Sequence, residues 1–103
     1  MSYFDRNGEP IDRDTWSRLS ADHEYKRVAL EKFDGGVEVS TVWLGLNHQW
    51  DDNRPPLIFE TMVFGGKLDG EQWRYTTEEQ AIKGHAMVVQ LVLAAYAPGA
   101  DAE

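Results

Sequence analysis

Two apolar runs on either side of a polar break constrain the fold of this chain more than any other feature. Residues 40–50 read STVWLGLNHQW and residues 55–64 read PPLIFETMVF, and between them they hold two of the four Trp and two of the four Phe. β-Branched and aromatic residues in short runs suit a pleated, half-buried surface. The spacing predicts the two central strands of a small sheet, and the remaining segments are read as partners to them.

Residues 26–33, KRVALEKF, are followed by Asp34-Gly35-Gly36, a turn sequence that predicts antiparallel pairing with the run after it. Alternation puts Val28 and Leu30 on one face of that strand and Ala29 and Phe33 on the other. In residues 37–46, Val37, Val39, Thr41 and Trp43 oppose Val42, Leu44 and Leu46, the pattern of a central strand covered on two sides. Residues 57–64 form a third strand in which Glu60 interrupts an apolar face. A buried carboxylate there must be paired or protonated, and a Lys or Arg on a neighbouring strand is the expected partner. Gly65-Gly66 and Asp69-Gly70 then turn the chain into a fourth strand at 72–75.

Residues 1–10 read as an irregular arm whose Tyr3 and Phe4 dock on the body. Asp12 or Asp14 caps a short helix running to about Asp22, with Trp16, Leu19 and His23 as its apolar stripe. Thr77 and Gln80 make a capping box for a long last helix. The apolar positions Ala81, Ile82, His85, Val88, Val89, Leu91, Val92 and Tyr96 spread over more than one stripe, which predicts a helix buried along the sheet and against something further. Pro98-Gly99 ends it. The chain is therefore expected to be α+β: one domain with a four-stranded antiparallel β-meander, a short N-terminal helix and a long C-terminal helix packed on the sheet. The expected organisation is an arm at 1–14, the domain at 15–97 and a disordered tail at 98–103.

Ten basic against eighteen acidic residues in 103 leave a net charge of −8, and no Lys/Arg cluster offsets it locally. Phosphate backbones and anionic lipid are repelled, so neither nucleic acid nor a membrane is expected as a partner. With no cysteine there are no disulfides, thiolate metal sites or cysteine nucleophiles. No basic and apolar leader opens the chain and no run is long enough to span a bilayer, which fits a cytoplasmic protein. The glycine pairs lack the phosphate-loop pattern, and no cofactor is expected.

The runs STVWLGLNH at 40–48, PLIFETMVFGG at 56–66 and RYTTEEQAIKGH at 74–85 together resemble a family of small uncharacterised proteins encoded by bacteriophages of actinobacteria and by related prophages. The likeness spans roughly residues 16–92. It implies an origin in a phage or prophage and a bacterial cytoplasm, and it brings no catalytic residues with it. Where the family often has Leu-Asp-His, this chain has Leu46-Asn47-His48, and an Asn cannot serve as the carboxylate that orients a His or a metal.

Three classes of function follow. The leading one is a non-enzymatic accessory protein that binds a host or phage protein, with Trp50, His48, Asp51, Asp52 and Arg54 as loop anchors and Trp73 as an outlying one. A homodimer through the last helix or a sheet edge belongs to the same class. The enzyme alternative is a small metal-dependent hydrolase in which His48, His85 and Glu60 supply N and O ligands, although no compact ligand spacing is present. Ser40, Thr41 or Thr61 beside a His suggests nucleophilic catalysis more weakly, because in strands such hydroxyls are ordinary cross-strand neighbours. The third class is a sponge for a nucleotide-like small molecule held between sheet and helix.

Overall fold

The computed structural model describes residues 2–47 and 53–96. At its centre lies an antiparallel sheet of four strands in the order β3-β4-β5-β6: β3 is Arg27–Lys32, β4 Glu38–Trp43, β5 Phe59–Phe64 and β6 Gln72–Tyr75. Each strand neighbours the next in sequence, the meander that the turn residues predict. Helix α3, Glu78–Ala95, lies across one face of all four strands. Its first turn is closed by reciprocal Thr77 and Gln80 bonds, so the capping box is formed.

The two faces of the sheet differ. Val37, Val39, Thr41 and Trp43, together with Phe59, Thr61 and Val63, point towards α3 and are buried. Among the described residues no second layer covers the opposite face, where Leu30, Val42 and Met62 are half-buried and Phe64 is exposed. Central strands covered on both sides were the expectation from Val42, Leu44 and Leu46. Instead two pairs of the sheet's charged side chains lie on the open face, with Lys32 3.9 Å from Glu38 and Arg74 3.1 Å from Glu60. Long aliphatic stems shield apolar surface while their charged ends stay in water.

Several expected boundaries shift for local reasons. The arm is ordered as a short hairpin, β1 Tyr3–Phe4 with β2 Pro10–Ile11, turned by Asp5, whose carboxylate accepts from the amides of Asn7 and Glu9. The single N-terminal helix is two: α1, Arg13–Ser20, capped by Asp12, and α2, His23–Lys26, capped afresh by Asp22. Asp22 in an extended conformation breaks the helix, so His23 leaves the Trp16/Leu19 stripe and is exposed. In β3 a bulge between Arg27 and Ala29 removes Val28 from the face of Leu30. Val28 packs against the Trp43 cluster, while Leu30 lines the open face.

β4 ends at Trp43 and not at Leu46, because Gly45 turns the chain at φ +72°. Likewise β5 begins at Phe59, two residues later than expected. The ladder is prolonged by single bonds, Leu44 N–H to Ile58 O at 2.7 Å and Ile58 N–H to Tyr75 O at 2.9 Å. A Cβ at Gly45 would collide with the indole of Trp43 and lie 2.8 Å from that of Trp16. Gly45→Ala should therefore combine the left-handed backbone penalty with overpacking. The expected loss is about 2–4 kcal/mol, read as a lower urea midpoint at unchanged slope.

Candidate functional site

The layer between sheet and α3 holds a polar chain that runs from one side of the core to the other. Thr41 and Thr61 are directly paired across β4 and β5, and their hydroxyl oxygens are 2.5 Å apart. Beyond Thr61, the hydroxyl of Tyr75 donates to it at 3.1 Å. On the other side, Thr41 lies 2.7 Å from Nδ1 of His85 on α3. Both threonines have no exposure and His85 only 9%.

The direction of this chain follows from its ends. Tyr75 donates to Thr61, which leaves the Thr61 proton for Thr41 and the Thr41 proton for His85. In this arrangement, the one that uses every hydroxyl proton, Nδ1 is the acceptor and the neutral imidazole carries its proton on Nε2. A proton on Nδ1 would reverse the Thr41–Thr61 bond, and Thr61, then accepting from both Thr41 and Tyr75, would have no acceptor within the polar chain for its own proton. Burial lowers the proton affinity of His85 below the ordinary value, and the carboxylate of Glu31 opposes this only in part.

Gly84 lets Tyr75 reach the threonines. It is buried inside α3, and a Cβ there would run into the Tyr75 ring. Glycine within a helix costs about 1 kcal/mol relative to alanine, and close approach of ring to backbone offsets that cost here.

Thr41 and His85 have the atom types of a nucleophile and its base. With the hydroxyl sealed from solvent, however, no substrate atom can reach it, so the pair holds α3 in register on the sheet. The cross-strand reading of Thr41 and Thr61 is the one the geometry bears out. Their signal in the sequence was a hydroxyl in the middle of each apolar inward stripe. What the sequence did not show was that Tyr75 and His85 would meet them.

His85 and Glu60 are not brought together. Strand alternation sends Thr61 towards α3 and its neighbour Glu60 to the open face, so the sheet itself separates the two proposed ligands. Glu60 pairs instead with Arg74 from the adjacent strand, its expected kind of partner. Among the described residues no group of three or more His, Asp or Glu is arranged to hold a metal ion. His48, Trp50, Asp51 and Asp52 lie outside the described residues, and Arg54 is exposed beside them.

Trp43 is fully buried, with its indole N–H donating to Phe4 O at 3.0 Å. Trp73 is half-buried and lines an open groove of about 620 Å³ with Leu68, Leu91, Ala94 and Ala95, and with Lys67 and Glu71. This groove lies at the β6 edge of α3. The middle of the sheet–helix layer is occupied by the buried side chains of Val39, Val63 and Val88 and by the Thr41–Thr61–His85 chain, and a smaller cavity of about 290 Å³ lies between Phe33, Val37, Val92 and Tyr96.

No protein-family model, curated protein or solved structure matches this chain. Among the described residues no helix is long and apolar enough to cross a membrane.

Two outcomes test the polar chain. Thr41→Val keeps shape but strips the donor from His85, and should cost about 1–3 kcal/mol in denaturant unfolding. The second concerns pH. Because the folded-state proton affinity of His85 is lowered, the unfolded chain takes up the proton first as pH falls. Its contribution is complete above the ordinary value of 6.5 and declines as pH drops from there towards the lowered folded value. Melting temperatures between pH 7.5 and 5 should show this decline, and His85→Asn, which keeps an acceptor near Thr41, should flatten it.

Proposed function

We propose that this chain is a small non-enzymatic accessory protein, of the kind encoded by phages and prophages of actinobacteria, that works in the bacterial cytoplasm by binding another protein. The observation that supports this reading is the outward side of α3. From Gly84 to Ala95 the helix carries no Asp, Glu, Lys or Arg, and its exposed residues are Ala86, Met87, Gln90, Leu91, Leu93 and Ala94. Met87 is 59% exposed, Leu93 47% and Leu91 44%.

Scattered exposed apolar residues are ordinary, but a contiguous strip on an otherwise charged protein marks a contact surface. Trp73 and Leu68 extend the strip into the groove at the β6 edge. Aromatic and Met side chains in such a setting are typical contact anchors. The other surfaces are less suited to binding. The open sheet face is crossed by its own ion pairs, and β6 is a short edge strand whose exposed side chains include Arg74.

The reading predicts that tagged protein retains a partner from actinobacterial lysate in a fixed ratio, and that Met87→Asp or Leu93→Asp abolishes retention without lowering the melting temperature by more than a few degrees. Retention unaffected by both substitutions would place the contact elsewhere and remove this support.

A further inference from the structure

Resting on that reading, we infer that the partner for which the α3 strip is built is a second copy of this chain, with the two α3 helices antiparallel and Gln90 on the two-fold axis. The spacing along the helix carries the argument. Lys83, Met87, Gln90 and Ala94 recur at intervals of four, three and four, the seam spacing of packed helices. At the middle of that seam stands the one polar residue of the apolar strip, Gln90.

In a two-fold contact, residues on the axis meet themselves. A side chain in that position must be complementary to its own copy, and an amide, with donor and acceptor on one carbon, is. A lone amide facing an unrelated apolar groove would lose its hydrogen bonds with water and gain none. Ala86 and Ala94 beside it are small enough for close approach of the helices. On the same flank, antiparallel packing sets Met87 of each copy near Leu91 and Ala94 of the other, at the mouth of the groove closed by Leu68 and Trp73.

Charge selects both the surface and the direction. Two copies of net charge −8 repel at long range, and the stretch from Gly84 to Ala95 lets the helices touch without a helix carboxylate between them, while Lys67 and Glu71 at the groove carry opposite charges. Parallel helices would set the Glu78-Glu79 turns side by side. Antiparallel helices crossing at Gln90 hold the two Glu79 residues about 33 Å apart along the axis. The strip offers on the order of 500 Å² per copy, near the lower edge of specific interfaces. The dimer should accordingly dissociate on dilution through the micromolar range and, because repulsion opposes it, should tighten as salt is added.

Sedimentation velocity of the full chain from about 1 to 200 µM should show a monomer–dimer equilibrium shifted towards dimer by salt, with Met87→Lys weakening it about tenfold or more. As the chain has no cysteine, Gln90→Cys should form a disulfide dimer under mild oxidation while Glu79→Cys does not. A wild type that stays monomeric throughout overturns the inference, as does Glu79→Cys cross-linking as readily as Gln90→Cys. The binding reading is judged separately. A monomeric protein that still loses a retained partner with Met87→Asp keeps that reading and discards the second copy. A dimer indifferent to Met87→Lys discards the α3 strip for both.

Discussion

The indole of Trp43 is where the separate parts of this protein are joined. It is a large side chain with a single polar atom, and burying it without a partner for its N–H would cost as much as a lost hydrogen bond. The partner is Phe4 O, in the N-terminal hairpin. Tyr25 meets the ring edge-on, with centroids 5.0 Å apart, and Gly45 folds back against it because no side chain is present to prevent this. Arg6 then ties the same hairpin to Tyr25 and to Glu78 in the first turn of α3. The arm, the two short helices and the start of α3 are thus fastened around one buried ring system, which is why the first residues belong to the packed body despite their turn-rich sequence.

Along the rest of α3 the fastening is different in kind. Val88 and Val92 pack on Val37, Val39 and Val63, a contact of smooth aliphatic surfaces that would tolerate sliding. The hydroxyl chain from Tyr75 to His85 does not tolerate it. A shift of one turn would break the Thr41–His85 bond and leave the buried imidazole without its partner, a penalty larger than the net worth of the bond itself. Polar atoms in this core contribute less to total stability than to selecting one register. The same requirement explains a glycine in the middle of a helix that otherwise follows helix propensities.

Much of the fold could be read from the sequence because its signals are local. Asp34-Gly35-Gly36 sets a hairpin, alternating valines set the buried face, and Thr77 with Gln80 sets a helix start. What could not be read depended on a second segment far away. The separation of His23 from Trp16 turned on Asp22 capping anew, and the bulge at Val28 on which ring it would meet. The separation of His85 from Glu60 is the instructive case for the site. Both are ionisable residues in apolar surroundings, and only the pleat, which reverses direction at every residue, sends them to opposite sides of the sheet. Trp43 was legible as core because it continues the stripe of Val37 and Val39, whereas Trp73 falls at the rim because β6 is an edge strand.

The contrast between the two incompletely covered surfaces bears on what α3 is for. On the open sheet face every apolar residue has a charged neighbour, and oppositely charged residues are set across adjacent strands so that their stems shelter Leu30, Val42 and Met62 from water. That arrangement keeps an exposed sheet from associating. The same chain places Glu78, Glu79 and Lys83 at the start of α3 and then no further charge as far as Ala95, although lysine or glutamate at Gln90 or Ala94 would suit a solvated helix equally well by propensity. A single-layer core already makes one sheet face a burden to solubility. Leaving a second apolar surface uncharged adds to that burden, and this is the physical ground for the proposal that α3 meets another protein surface.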